Sequence, residues 1–234
     1  MKKLLILTIC MACLFFSSSA QNTLKCIYLE EAINRADQPD KITQDEFVLF
    51  VSGNRSAFYS NNARQYVETK DSLERLGISP MEMLGTLQRF PKGKSIEIYK
   101  NQPTLGEYIC YAEVAQTFRF EDKLPRIEWQ IQDESKNILG YACQKAVGKL
   151  YNREWTVWFT LDIPISEGPW LLAGLPGLIL EAHLDQYIYT ATSIDDNTKQ
   201  SIVVPTGGKK MTNAEFQEMV QKQTEMMKRG TGGL

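Results

Sequence analysis

The chain lacks the residue patterns on which common active sites are built. His183 is its only histidine, so the paired-histidine zinc motif is absent. It has no Gly-x-Ser-x-Gly elbow and no phosphate-binding loop, and beyond residue 20 it has no Cys-x-x-Cys pair. These absences argue against serine hydrolases of the elbow type, paired-histidine zinc enzymes and nucleotide-binding proteins. We therefore predict no metal and no cofactor.

Clusters of basic residues and long apolar runs are also scarce. No run of Lys and Arg is longer than a pair such as Lys209-Lys210, whereas a protein that follows nucleic-acid phosphates needs a basic stripe. The most apolar stretch after residue 20, at residues 170–180, is interrupted by two glycines and a proline. We expect no nucleic-acid partner and no membrane-spanning segment in the mature chain.

The N-terminus has the composition of a secretory signal peptide. Two lysines precede an apolar run at residues 4–16, and small residues follow it. This pattern predicts a signal peptide at residues 1–20 and a mature single domain at residues 21–234, located in the periplasm or attached to the outer membrane. A retained anchor, or lipidation at Cys10 or Cys13, fits the pattern less well. Residues 1–20 hold two of the 26 basic and none of the 28 acidic residues, so the mature chain has a formal net charge of about −4.

Alternation of apolar and polar residues predicts a mainly β fold with minor α. Links between consecutive strands are short, which favours antiparallel pairing. The expected architecture is a single curled antiparallel sheet or half-barrel, with hairpin tips at Lys136-Asn137 and Asp185-Gln186. The predicted strands are residues 46–51, 56–59, 95–100, 108–112, 117–121, 128–133, 138–145, 154–162, 178–184 and 187–194.

Two segments have helical rather than strand periodicity. Residues 62–90 predict a helical or flexible insertion, interrupted near Gly77 to Pro80, which either covers one end of the sheet or forms a mobile flap. Residues 212–229 predict a C-terminal helix that begins with a capping box from Thr212 to Glu215. Its apolar stripe favours packing against the sheet, and copper binding by its methionines is the alternative. The stripe consists of Phe216, Met219, Val220, Gln223, Met226 and Met227.

Three cysteines remain after the predicted cleavage, namely Cys26, Cys110 and Cys143. An oxidising envelope permits one bridge and one free thiol. Cys110 with Cys143 is the pair we favour, because both lie in predicted strands. Three buried, unpaired cysteines are the alternative, and the sequence does not separate the two arrangements.

A passage rich in Pro-linked turns, residues 163–180, is the most distinctive feature of the sequence. Leu175-Pro176-Gly177-Leu178 fits a type II turn in which Gly177 takes a positive φ. The passage resembles the signature of the GLPGLI family, exported proteins found chiefly in Bacteroidetes, and further similarity extends through Gly140-Tyr141 and Trp155-x-x-Trp158. The signature residues are Gly174, Leu175, Pro176, Gly177, Leu178 and Ile179.

This resemblance implies an envelope protein encoded beside TonB-dependent outer-membrane receptors, without catalytic residues to carry over. We therefore predict a non-enzymatic binding or accessory module whose partner is an outer-membrane receptor or an apolar ligand. A periplasmic lipid carrier is one alternative, and an enzyme using Cys143 or the carboxylates near the signature (Asp162, Glu167, Glu181) is another. The candidate apolar pocket is formed by Trp129, Tyr141, Trp155, Trp158, Phe159 and Trp170.

Overall fold

The computed structural model describes residues 23–33, 42–114, 116–196, 198 and 201–230. They form one open sheet of 12 strands with three helices, so the predicted mainly β fold with a helical insertion and a C-terminal helix is confirmed. The strands are β1 (Thr23–Ile33), β2 (Ile42–Ser52), β3 (Arg55–Ser60), β4 (Ile96–Lys100), β5 (Glu107–Val114), β6 (Gln116–Lys123), β7 (Gln130–Ile138), β8 (Tyr141–Leu150), β9 (Arg153–Thr160), β10 (Leu178–Leu184), β11 (Tyr187–Asp195) and β12 (Lys209–Lys210). The helices are α1 (Asn61–Arg75), α2 (Pro80–Leu87) and α3 (Asn213–Gly230).

The strand order is β12-β6-β5-β4-β3-β2-β1-β11-β10-β9-β8-β7. Most neighbours in the sheet are neighbours in sequence, and β1 pairs with β11 to join two antiparallel meanders. Among the described strands, only β12, two residues long, pairs in parallel, with β6. β1 was missed at the sequence level because Glu30 occupies an inward position after Tyr28 and interrupts the apolar alternation.

The hairpin between β7 and β8 differs from the prediction. Its tip is Leu139-Gly140 rather than Lys136-Asn137, and Lys136 pairs with Cys143 inside the ladder. Leu139 and Gly140 have φ values of 53° and 87°, as a two-residue type I′ turn requires. The other predicted tip, Asp185-Gln186, does connect β10 to β11.

One apolar core fills the inside of the sheet. Phe120 of β6 and Ile138 of β7 lie near opposite edges yet belong to the same buried cluster, so the sheet curls around it. Residues 161–177, here called the signature loop, cover this core with Leu172 and Leu175, which are 0% and 2% exposed. The inside is thus packed with side chains, whereas the lipid-carrier alternative required an empty pocket.

Both predicted helical regions begin as their sequences indicate. The insertion is broken between α1 and α2, after Arg75 and before Pro80, where Gly77 has a φ of 69°. At α3 the Glu215 carboxylate accepts hydrogen bonds from the Thr212 amide and hydroxyl, at 2.7 and 2.9 Å, and the Glu215 amide donates back to the hydroxyl. These bonds lower the pKa of Glu215, and they confirm the capping box.

Both ends of the helical insertion meet the sheet at the same place, next to Asp45 of β2. Asp45 of β2 is buried, and its carboxylate accepts hydrogen bonds from the Ser60 hydroxyl (3.0 Å), the Asn62 amide group (2.8 Å) and the backbone N–H of Lys94 (2.8 Å). Ser60 also accepts from the Ala63 amide at the start of α1. One carboxylate therefore fixes both ends of the segment that carries α1 and α2.

The predicted signal peptide, residues 1–20, lies outside the described residues. Among the helices that the structure describes, none combines the length and apolarity needed to cross a bilayer. Of the predicted stripe on α3, Phe216 packs against Phe118 and Phe120 of β6, with ring centroids 6.1 and 5.2 Å apart. The side chains of Met226 and Met227 lie outside the described part of the chain.

Candidate functional site

Three tyrosines lie together on the outer face of the sheet, opposite the core. Tyr59 of β3, Tyr99 of β4 and Tyr111 of β5 alternate with inward residues of their strands. The rings of Tyr99 and Tyr111 meet edge to face, with centroids 6.0 Å apart. With Ala57 and Ile109 they form a second, smaller apolar cluster, here called the tyrosine face.

A short extended segment, residues 201–205, crosses the tyrosine face and is here called the strap. Ile202 and Val204 pack against the face, while Val203 between them is 73% exposed. The hydroxyl of Tyr111 donates a hydrogen bond to the carbonyl of Pro205. The strap thus presents alternate side chains to the sheet, as an extended chain does.

An ionic network borders the strap on the side of α1. The Arg64 guanidinium donates to both carboxylate oxygens of Glu97, at 3.2 Å each, and to the Tyr99 hydroxyl at 2.8 Å. The Tyr99 hydroxyl in turn donates to Glu97. The guanidinium carbon of Arg64 lies 3.3 Å from the centroid of the Tyr59 ring, so Arg64 is held by charge and by the ring face together.

Two adjoining cavities of about 470 and 510 Å³ open between α1 and the strap. Both are lined by Arg64, Glu68, Tyr99 and Val203, so they form one groove, here called the outer groove. Its volume is in the range of small-ligand sites. The first cavity also reaches Lys94, Glu97, Tyr111 and Glu113, and the second also reaches Lys25, Tyr59, Asn61 and Gln65.

The charges of the groove are fixed by their surroundings. Burial raises the pKa of Tyr99, and the nearby charge of Glu97 raises it further, so Tyr99 stays a neutral hydrogen-bond donor. Burial alone would lower the pKa of Arg64, but hydrogen bonds to Glu97 and its charge give a net increase. The groove therefore offers a permanent cation, carboxylates and phenol hydroxyls beside aromatic rings, a set that suits a ligand rich in hydroxyl groups. Glu68, Glu97 and Glu113 are its candidates for acid–base chemistry.

Most of the signature residues lie on the other side of the sheet, in the core, whereas Gly174 and Pro176 are exposed. Leu178 and Ile179 are 0% exposed. The predicted type II turn is not formed as expected, because the positive φ of 96° belongs to Gly174 rather than to Gly177. Gly177 is required for a different reason, since a Cβ atom there would lie 1.9 Å from the backbone oxygen of Thr160. The residues from Gly174 to Ile179 are therefore distinctive because of close packing against the core.

Two side-chain donors, Lys100 and Trp129, hold the signature loop in place. Lys100 of β4 is fully buried and donates from Nζ to the carbonyls of Gly168 and Leu172, at 3.1 Å each, while pairing with the Glu167 carboxylate. The indole N–H of Trp129 donates to the carbonyl of Ala173 at 2.9 Å. Glu167, one of the predicted carboxylates, is therefore part of a structural ion pair.

The six residues predicted to form an apolar pocket belong to the core cluster or pack against it, although they do not all lie on one face of the sheet. Trp155 and Phe159 point into the core, 2% and 1% exposed, and Trp170 stacks on Trp155 with centroids 5.9 Å apart. Trp158 points to the opposite face, as the alternation of β9 requires. Tyr141 and Trp129 are half-buried at the rim of the core. Neither cavity of the outer groove is lined by any of the six.

The remaining candidates for chemistry form a small network on the outer face of β7 to β10. Glu181 accepts hydrogen bonds from Lys136 Nζ (2.5 Å) and from His183. Lys136 Nζ lies 3.6 Å from the centroid of the Trp158 ring, and Asp162 lies exposed after β9. Within the residues that the structure describes, no group of three or more His, Cys, Asp or Glu side chains is placed to hold a metal ion.

The described structure contains no Cys110–Cys143 bridge. Cys26, Cys110 and Cys143 are free and buried, on strands that are not neighbours in the sheet. Burial raises the pKa of Cys26 to about 12 and that of Cys143 to about 11, and it raises the pKa of Cys110 as well. All three are therefore protonated near neutral pH, which disfavours nucleophilic thiol chemistry.

We expect the native mature chain to show almost no thiol reaction at pH 8. Ellman's reagent should titrate fewer than about 0.3 thiols in the folded protein and about three after unfolding in guanidinium, because thiolates are the reactive species. A titre of one thiol in denaturant without reductant would reveal a disulfide and contradict the three free thiols.

The groove residues were not found from the sequence. Arg64, Glu97 and Tyr99 belong to different elements, and no local motif links them. The sequence does place one tyrosine at an outward position in each of β3, β4 and β5. This pattern indicates a shared surface only when the three strands are known to be neighbours.

Comparison with known proteins assigns the fold. Two solved structures, those of PNGF-II in the C2 and in the P21 space group, each match with a TM-score of 0.57 and 16% sequence identity. The match covers 86% of this chain and 33% of each of those chains, so the chain spans about a third of their length. No curated protein matches the chain.

The family model described as N-glycanase peptide, N-terminal domain, matches residues 43–217. This match corrects the resemblance to the GLPGLI family, which rested on letters that the structure explains by core packing. The predicted non-enzymatic accessory or carrier role, and the prediction that no enzyme is involved, are wrong as well, because the matching family is named for an N-glycanase. The match spans most of the described residues, and the chain belongs to the N-glycanase N-terminal domain family.

Proposed function

We propose that the chain takes part in the enzymatic release of N-linked glycans and that its outer groove binds the glycosylated substrate. The observation that carries this proposal is the family match over residues 43–217. The groove supports it, because a fixed guanidinium, carboxylates and phenol hydroxyls beside tyrosine rings suit the hydroxyl groups and the apolar faces of sugars.

Within the groove, Arg64 is the residue we expect to bind substrate. Its charge is permanent, and the N–H groups that remain beside those bonded to Glu97 and Tyr99 are the donors we expect to bond sugar oxygens or substrate carboxylates. Glu68 and Glu113, which line the same cavity, supply acceptors and acid–base groups. The site is thus open to a ligand on one side and anchored to β4 through Glu97 on the other.

Replacing Arg64 with alanine should weaken binding of a defined N-glycopeptide by about tenfold or more, because hydrogen bonds from a charged group contribute roughly 1.5–3 kcal/mol each. Fluorescence anisotropy with residues 21–234 measures binding, and mass spectrometry measures released glycan. Arg75→Ala is the matched control, since Arg75 lies on the same helix outside the groove and should leave binding unchanged.

The sugar-free peptide of the same sequence is the second control. Equal binding of the glycosylated and sugar-free peptides, or neither binding nor release of glycan by the wild-type chain, would overturn the proposal. We place this activity in the periplasm or at the outer membrane, as the N-terminal residues predict. An outer-membrane receptor as partner stays a prediction.

A further inference from the structure

The strap is attached to the sheet by side-chain packing and one side-chain-to-backbone hydrogen bond. Across the described residues 201–208, no backbone-to-backbone hydrogen bond joins this segment to its neighbours. The attachment consists of Ile202 and Val204 on the tyrosine face and the hydrogen bond from Tyr111 to Pro205. A segment held in this way opens at a lower free-energy cost than a paired strand does.

The surface beneath the strap is apolar and continuous with the outer groove. Tyr99 and Tyr111 are 1% and 5% exposed, and both line the groove. Gly207 and Gly208 follow the strap with φ values of 111° and 81°, a conformation that other residues rarely adopt. They lie immediately before β12, so the strap can lift while β12 remains paired with β6.

We propose that the tyrosine face is a docking site for an extended polypeptide and that the strap occupies it as an internal competitor. The strap itself defines the chemistry of the occupant: two β-branched side chains at alternate positions, Ile202 and Val204, followed by a carbonyl that accepts from Tyr111. The inference rests on the proposed function and identifies the occupant as the polypeptide part of the glycosylated substrate, next to the groove that holds its sugar.

A labelled peptide with the sequence of the strap, Ser-Ile-Val-Val-Pro-Thr, tests this site. In the full mature chain, the double variant Ile202→Ser with Val204→Ser should bind the peptide at least about tenfold more tightly than the wild type, whose tethered strap competes at a high effective concentration. Thr206→Ala is the matched control, because Thr206 is exposed, follows the strap and lines neither cavity of the outer groove, so its replacement should leave the wild-type affinity unchanged.

Equal affinity of the wild type and the double variant, including no binding by either, would overturn the proposal. If circular dichroism shows that the double variant is unfolded, Ile202→Ala replaces it, with an expected gain of several-fold. A photoreactive group on the peptide should label β3, β4 or β5, which carry the tyrosine face, and labelling elsewhere contradicts the site. The peptide carries no sugar, so its failure leaves the Arg64-dependent glycopeptide binding unaffected, and the two proposals fail separately.

Discussion

Replacing Lys100 with methionine is expected to lower the free energy of unfolding by about 3–5 kcal/mol, because removal of one member of a buried ion pair leaves the other charge without compensation. Lys100 is fully buried, and its partner Glu167 is nearly so. The carbonyls of Gly168 and Leu172 lose their donor in the same variant. Urea denaturation of residues 21–234 measures the change.

Two further variants test whether the loss of stability comes from breaking the ion pair or from replacing a lysine with methionine. Changing Lys100 and Glu167 together to methionine should recover most of the loss, since apolar replacement of a whole buried pair is often close to neutral. Lys92→Met, at an exposed position, should change stability by less than about 0.5 kcal/mol. A loss below about 1 kcal/mol for Lys100→Met would contradict the role of Lys100 in holding the signature loop.

Replacing Gly177 with alanine is expected to cost about 3 kcal/mol or more, at the upper end of overpacking effects. The added Cβ atom would lie 1.9 Å from the backbone oxygen of Thr160, and a backbone atom moves only with its strand. Thermal unfolding followed by circular dichroism gives the change in stability. The core should loosen where β9 passes beneath the signature loop.

Gly174→Ala is the matched control for this effect. Its φ of 96° penalises a side chain by about 1–2 kcal/mol, but the nearest atom to its Cβ, Trp129 Nε1, is 3.7 Å away at ordinary contact distance. The variant should therefore be less destabilised than Gly177→Ala. A larger loss of stability for Gly174→Ala than for Gly177→Ala would indicate that turn conformation, rather than close approach to Thr160, explains the requirement for glycine at position 177.

Local patterns in the sequence predicted the parts of the fold that depend on neighbours along the chain. The alternation in β9 separates Trp155 from Trp158, and the capping box at Thr212 begins α3 as expected. The limits of β10 and β11 also follow from the turn at Asp185. Each of these features is determined by contacts within a few residues.

Features that depend on distant segments were not predicted. Lys100 occupies an inward position at the end of a strand, where a charged residue is usually solvated. Its partners come from a loop 68 and 72 residues later in the chain. Arg64 and Glu97 belong to a helix and a strand whose contact requires the paired β3–β4 ladder. Grouping Trp158 with the inward aromatics also ignored the alternation that the sequence itself contains.

The functional prediction failed for a related reason. The residues from Gly174 to Ile179 are distinctive because Gly177 and Leu178 must fit against β9 and the core. Such constraints belong to a fold and carry no information about substrate. The groove to which we assign the chemistry in our proposal lies on the opposite face of the sheet, among residues without a recognisable local motif.

Because the carboxylate of Asp45 holds both ends of the insertion, the whole segment can be replaced as one unit. This one group fastens both the departure at Ser60 and the return at Lys94. The ends of the segment are therefore held by Asp45, while Arg64 of α1 adds contacts to Glu97 and Tyr99 of β4. Doubling the length of a closed loop costs only about 0.6 kcal/mol. Because α1 forms one wall of the outer groove, exchanging this single contiguous piece is a route to new ligand specificity on an unaltered sheet.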